Sequence, residues 1–318
     1  MDVVIFGVPA WMVRGGAFVF GLLWGSFLNV VIYRLPLGLS VVSPPSHCPA
    51  CKKPVRPYDN IPVVSYAVLL GRARCCGAPM SPRYVIVELI GGLLSVGVLE
   101  IVVARTPPAA PGWLILAAFV SQFALCLGLV AAAFIDWEHM ILPDEITLGG
   151  AILGLATTPV RGAEWVDVLA SSIGAYVLVW FLFNFLYKKL RGRTGMGMGD
   201  AKLLALAGAW FGWKGVCFAL FAGAIQGTLG SLVMRLVKGK IELPEAVKAE
   251  VAEMRRLAEE GDEEAKEALL HDPAAEAHDG FMQAAIPFGP FLILGTLEYL
   301  FLGPHVMPHI LGFLVTPW

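Results

Sequence analysis

A series of apolar runs constrains this chain more than any other feature. An α-helix needs about 20 residues to cross about 30 Å of hydrocarbon. The clear apolar runs lie at roughly 12–33, 84–104, 113–135, 145–160, 165–187, 215–235 and 283–302. Shorter runs lie at about 201–212 and 306–318. Hydrophobic residues make up 57% of the chain and charged residues 15%, so polar side chains are too few to cover a soluble globule. We therefore predict an all-α polytopic integral membrane protein with about eight or nine transmembrane helices.

This composition also excludes several classes of protein. A soluble enzyme, a disordered chain and a nucleic-acid binder with a basic face are all incompatible with it. The positive charges predict the orientation, because Lys and Arg concentrate in cytoplasmic loops. Of the 23 Lys and Arg residues, 19 lie in 34–83, 188–202 and 235–266. These segments are expected to face the cytoplasm and the N-terminus to lie outside, provided that 201–212 is a span followed by a tight turn at 212–214.

The charge distribution also suggests how the chain is divided. Residues 239–280 hold 13 of the 25 acidic residues and five basic ones, which is typical of a solvated helical arm, although a partner-docking or regulatory arm is the alternative. We predict a first transmembrane helix at 1–35, a cytoplasmic Cys-rich loop domain at 36–82, transmembrane helices at 83–237 that carry the candidate catalytic residues, an acidic helical insert at 238–280 and C-terminal transmembrane helices at 281–318.

Two aspartates are expected at the cytoplasmic edge of the bilayer. Asp136 ends the third long apolar run, and Asp200 follows the alternating glycines of 195–199. Two close carboxyls can share a proton and hydrolyse an amide, since one activates water while the other protonates the carbonyl. Residue chemistry alone leaves other roles open, because Asp200 could cap a helix and Asp136 could be an ordinary interfacial carboxylate. Asp144 is expected to be a helix cap, and His139 is left out of the catalytic set.

Several sequence blocks resemble one known family. Gly197-Met198-Gly199-Asp200 is similar to the GxGD signature of intramembrane-type aspartic proteases, and with Asp136 it resembles the type IV prepilin peptidases of bacteria. Further similar blocks are Gly21 to Pro36, Pro82-Arg83-Tyr84 with Glu88-Leu89, and Ile286 to Phe291.

The resemblance implies both an activity and a location. It implies a peptidase of the bacterial cytoplasmic membrane that cuts the leader from prepilins and type II secretion pseudopilins after a glycine, on the cytoplasmic side. It also implies N-methylation of the new N-terminus with S-adenosylmethionine. The catalytic roles carry over to Asp136 and Asp200. No methyl-donor site can be placed, because the sequence has no Rossmann-type glycine-rich turn.

Four cysteines of the loop after the first span suggest a metal site. Cys48 and Cys51 form a CxxC pair, and Cys75 and Cys76 are adjacent. A reducing cytoplasm disfavours a disulfide, so a structural zinc ion is expected to cross-link this small loop. The resembled family has two CxxC pairs, whereas this chain has Ala73 where a cysteine is expected. Three cysteines with His47, or no metal at all, are the alternatives. Cys126 and Cys217 are expected to be core residues.

Two other classes of function are compatible with acidic residues at a membrane edge. A transporter could use them to bind a proton or a cation, but it would leave pilins chemically unchanged. A non-catalytic subunit of a pilus or secretion assembly would tolerate the loss of both aspartates.

Overall fold

The computed structural model describes residues 4–5, 7–107, 109–191, 196–238, 244–264, 266, 269 and 287–310. Within this part of the chain, five helices are long and apolar enough to cross a membrane: Ala10–Leu37, Arg83–Arg105, Gly112–His139, Trp165–Leu190 and Met198–Val237. The prediction of an all-α, multi-pass membrane protein is therefore confirmed. The strands of the described residues, β1 (Val4–Ile5) and β2 (Val8–Pro9), form one short antiparallel ladder in which Val4 lies opposite Pro9.

The helices are labelled in chain order. They are α1 (Ala10–Arg34), α2 (Val64–Val68), α3 (Arg83–Arg105), α4 (Gly112–His139), α5 (Asp144–Ala156), α6 (Thr158–Arg161), α7 (Trp165–Val179), α8 (Tyr187–Arg191), α9 (Met198–Lys238), α10 (Glu245–Glu259) and α11 (Gly289–Ile310). A π-helical segment, Trp180–Leu186, joins α7 to α8. The chain forms two compact units, Met1–Ala131 with Ala156–Ala163, and Ala132–Leu155 with Glu164–Trp318.

In the first unit, α1 and α3 pack as an antiparallel pair with their backbones in close contact. A Cβ atom added at Gly25 would lie 2.7 Å from the Cα of Glu88, and one added at Gly91 would lie 2.6 Å from the carbonyl oxygen of Gly21. Small residues permit such an approach in membrane helices. At one end of the pair, the Arg14 guanidinium lies 2.6 Å from the carboxylate of Glu100.

The loop between α1 and α3 is attached to these helices by hydrogen bonds. The guanidinium of Arg34 donates to the carbonyl oxygens of Ser40 and Pro44. The backbone N–H of Val63, just before α2, donates to Oε2 of Glu88 on α3 at 2.7 Å. A buried carboxylate of α3 therefore anchors the loop that carries the four cysteines.

In the second unit, α9 is interrupted at Gly212, where φ is 64° and ψ is −168°. Before this glycine, the indole N–H of Trp210 donates to the carbonyl of Gly150 on α5. Beyond it, glycine contacts join α9 to α11, since a Cβ at Gly223 would lie 3.0 Å from the Leu292 side chain. The sequence predicted a tight turn at this position, and the interruption falls on its first residue.

The acidic segment begins with the helix that the sequence predicted. α10 follows Pro244 and ends before Gly261, which has a φ of 101°. Val247 and Val251 are buried, as their spacing on one helical face predicts. Most of the insert beyond Glu264 lies outside the described residues, as does the part of the apolar run at 306–318 that follows Ile310.

Candidate active site

Asp136 lies in the last turn of α4 and is almost completely buried, with 5% of its surface exposed. The helix ends three residues later, at His139, and the backbone N–H of Met140 donates to the carbonyl of Asp136 at 2.9 Å. Met140 has a φ of 56°, a left-handed conformation that stops a helix and turns the chain sharply. The end of α4 is thus fixed one turn beyond the carboxylate.

Asp200 is the third residue of α9, and Gly197 occupies the position before that helix. The carbonyl of Gly197 accepts the N–H of Ala201, while the Gly197 N–H faces the Asp200 carboxyl. This contact is the acidic half of a capping box, in which the side chain of the third helical residue reaches back to the backbone N–H of the residue before the helix. Asp200 is therefore not the N-cap that its sequence position also allowed.

The structure brings the two carboxyls together. They are close enough for the charge of Asp200 to act on Asp136, whose carboxyl also faces the backbone N–H of Gly289 at the start of α11. The buried Oδ2 of Asp136 has no hydrogen bond of ordinary geometry to any described residue. A buried acceptor without a donor is unfavourable, so this oxygen can accept a proton or a hydrogen bond from a molecule that enters the site.

Close packing surrounds the two aspartates. A Cβ atom added at Gly289 would lie 2.5 Å from Oδ2 of Asp136 and 3.2 Å from Cδ1 of Leu142. One added at Gly199 would lie 3.0 Å from the Cβ of Leu142. A larger side chain at Gly289 would therefore displace the Asp136 carboxyl, and one at Gly199 would push against Leu142.

The structure gives Asp144 a different role from the expected cap. Asp144 is the first residue of α5, and the carbonyl of Pro143 before it accepts the N–H of Thr147. The Asp144 carboxylate lies 2.5 Å from Nζ of Lys202, on the helix of Asp200.

Sequence reasoning missed Gly289, Leu142 and Lys202. The block at 286–291 marked the start of α11 without indicating which residue it would approach.

Chemically, this arrangement suits acid–base work on one substrate. Two carboxyls that share one proton act as a single acid–base unit. A pair in this state offers an acceptor for a proton from water and a donor for a carbonyl oxygen at the same time.

The four loop cysteines form a second cluster. The Sγ atoms of Cys48, Cys51, Cys75 and Cys76 all lie within 4.8 Å of one another. Cys48 and Cys76 are 3.7 Å apart, and Cys51 and Cys75 are 3.2 Å apart. Tetrahedral zinc with Zn–S bonds of about 2.3 Å requires sulfur atoms about 3.8 Å apart. The four thiols therefore fit one zinc ion, and His47 is not a member of this group.

The backbone around the cluster also affects its ionisation. The backbone N–H of Cys51 lowers the pKa of the Cys48 thiol to about 7, whereas the neighbouring Cys51 thiol raises the pKa of Cys75 to about 12. Cys48 thus ionises readily even without a metal, and the thiolate is the form that binds metals.

The fold and the first site define a class of protein: a multi-pass helical membrane protein with two aspartates that meet at helix ends. Comparison with known sequences gives the family. Residues 19–102 match the bacterial Peptidase A24 N-terminal domain, and residues 123–232 match the type IV leader peptidase family. The chain belongs to the type IV leader peptidase family.

Individual relatives agree with this assignment. The chain is similar to the prepilin leader peptidase/N-methyltransferase of Aeromonas hydrophila, at 36% identity over 73% of this chain and 84% of the relative. Two proteins of the same name are also similar. The one from Klebsiella pneumoniae is 39% identical over 63% of this chain and 86% of the relative. The one from Myxococcus xanthus strain DK1622 is 32% identical over 90% of this chain and 89% of the relative. No solved structure matches the chain significantly.

Proposed function

We propose that this protein is a membrane aspartic endopeptidase that cleaves the leader of type IV prepilins and type II secretion pseudopilins after a glycine. We also propose that it N-methylates the new N-terminus with S-adenosylmethionine. The proximity of Asp136 and Asp200 carries the peptidase assignment, and the relatives' names support both activities. A transporter or a non-catalytic assembly subunit is not favoured, because the family is one of peptidases.

The proposed mechanism uses the pair as one unit. The ionised carboxyl takes a proton from water as the water oxygen attacks the scissile carbonyl carbon, and the protonated carboxyl donates its proton to the carbonyl oxygen. The tetrahedral intermediate then collapses: the carboxyl that took the water proton gives it to the leaving amine, the C–N bond breaks, and the other carboxyl takes back a hydroxyl proton as the carbonyl re-forms. The capping contact to Gly197 fixes Asp200, and burial beside Gly289 fixes Asp136, so both carboxyls are held in place before substrate arrives.

The decisive experiment is mass spectrometry of a purified reaction with a prepilin, with and without S-adenosylmethionine. We expect a product shortened by the leader, and a further methyl group only with the donor. Asp136→Asn and Asp200→Asn should each abolish cleavage, and the double variant should be no worse, because residues that act as a unit are not additive. Asp167→Asn, at the first turn of α7, is the control and should cleave normally. Full cleavage by either dyad variant would contradict the assignment.

The proposed topology places the active site at the cytoplasmic face of the bacterial inner membrane, with the N-terminus outside. The distribution of 19 of 23 positive residues supports this orientation. The non-helical Gly212 supports two spans within 198–238, which the total of about eight or nine spans requires. We retain the division of the chain at 1–35, 36–82, 83–237, 238–280 and 281–318 as part of this proposal.

We further propose that Cys48, Cys51, Cys75 and Cys76 hold a structural zinc ion in a small cytoplasmic loop domain. The sulfur geometry supports this set over the alternative with His47. For the methyl donor we assign no residues. The strands in the described ranges form only the ladder at 4–5 and 8–9, which provides no βαβ unit for a Rossmann-type donor site.

A further inference from the structure

We propose that Lys202 is a positioning residue for the two aspartates. Through its ion pair with Asp144, it fixes the connector, residues 140–143, whose Leu142 side chain spaces the two backbone segments that flank the carboxyls. This inference rests on the proposed function of Asp136 and Asp200 as a catalytic pair.

Leu142 contacts both sides of the site. Its Cβ packs against Gly199, the residue before Asp200, where an added Cβ atom would lie 3.0 Å away. Its Cδ1 packs against Gly289, whose backbone N–H faces Asp136. One apolar side chain thus touches the start of α9 and the start of α11. Asp200 is carried by α9, and the Asp136 side chain packs against the start of α11, so Leu142 lies between the two backbone segments that hold the carboxyls.

The connector is held at both of its ends. At its start, Met140 turns out of α4 in a left-handed conformation. At its far end, Asp144 lies 2.5 Å from Nζ of Lys202. The ion pair therefore ties the connector to α9, the same helix that carries Asp200.

Helix geometry indicates that Lys202 acts through Asp144 and does not act on Asp200 directly. Residues two apart on a helix do not face each other, so Lys202 points away from Asp200. The side chain of Lys202 is 24% exposed and that of Asp144 is 56% exposed. Such pairs add little to overall stability, so the expected effect of losing this one is on the geometry of the site.

The first test is a double-mutant cycle on prepilin cleavage. We expect Lys202→Met and Asp144→Asn each to lower kcat about tenfold with KM changed less than about twofold. The reason is that a small displacement of the carboxyls lowers the rate of the chemical step. The double variant should match the single variants, and Lys202→Arg should retain most of the activity. Lys248→Met removes a comparable ion pair with Glu245 on α10 and should cleave normally. Additive losses, or a change confined to KM, would overturn the proposal.

A second readout does not depend on cleavage. The rates at which a carbodiimide labels Asp136 and Asp200 can be measured by mass spectrometry at one fixed pH. We expect Lys202→Met, but not Lys248→Met, to change these rates while the melting temperature stays the same. Unchanged labelling would overturn the positioning role. Changed labelling in a protein that cleaves no prepilin would uphold that role and refute the proposed function instead.

Discussion

Individual aspartates in this chain differ in their surroundings far more than in their sequence context. Asp136 and Asp144 both lie near helix ends, yet one is 5% exposed and the other pairs with a lysine at the surface. The sequence distinguished them through the position of the apolar runs and the glycines before Asp200. It did not reveal Gly289, because that residue lies far along the chain and only tertiary packing brings it to Asp136.

The first residue-scale prediction concerns this glycine. Gly289→Ala should reduce cleavage at least about tenfold, because the added methyl group meets Oδ2 of Asp136 at 2.5 Å and displaces the carboxyl. The measurement is kcat/KM on a prepilin substrate. Gly149→Ala on α5 is the matched control, since its added methyl group has no neighbour within 4 Å. Equal activity of the two variants would show that the close contact at Gly289 has no functional role.

The second residue-scale prediction concerns zinc. Metal analysis of the purified protein should find about one zinc ion per chain. Cys48→Ser and Cys75→Ser should both lose it and leave the loop sensitive to protease, because the remaining thiols cannot complete a tetrahedral site. His47→Ala should keep the metal, and Cys126→Ser, a buried cysteine of α4, is the control. Zinc retained in Cys75→Ser and lost in His47→Ala would support the histidine alternative.

At the scale of helices, glycines determine which elements approach closely. The apolar runs predicted α1, α3 and α4 well, because length and hydropathy are local properties of a sequence. The pairing of α1 with α3 was not predicted, although the spacing of Gly21 and Gly25 is the small-residue pattern of close helix pairs. The interruption of α9 was predicted at the turn beginning at Gly212, where a glycine followed by a short polar break separates two apolar runs.

The element-scale prediction tests this helix pair. Gly25→Ala should destabilise the protein by about 1–3 kcal/mol, because the new Cβ would lie 2.7 Å from the Cα of Glu88 and overpack the interface. Thermal unfolding in detergent measures the change. Gly16→Ala, on the same helix with open space around it, should be neutral or slightly stabilising. If both variants unfold at the same temperature, the two helices do not depend on their close contact.

At the scale of the whole molecule, composition already defined the class of protein. Polar residues were too few for a soluble fold, and the described helices agree with that inference. The acidic insert at 238–280 is the exception in composition, and it lies outside the two matched family regions. What the sequence could not provide is the pairing of distant segments, because nothing local specifies which helices meet.

The whole-molecule prediction concerns this insert. Replacing residues 242–276 with a Gly/Ser linker of equal length should leave prepilin cleavage within about threefold of normal, because a flexible linker joins its ends at small entropic cost. Some stability should be lost, since Val247 and Val251 are buried. Cleavage rate and melting temperature are measured together. A stable, membrane-inserted variant without activity would show that the insert belongs to the catalytic machinery.

The close grouping of the loop thiols has a consequence for handling the protein. Cys51 and Cys75 are only 3.2 Å apart and accessible to solvent, so an oxidant can join them with little movement of the chain. Bound metal would protect the sulfur atoms from this reaction. Removal of the metal with a chelator, followed by exposure to air, should therefore trap the loop in an oxidised form that does not bind added zinc. Adding a thiol reductant before the zinc should restore zinc binding.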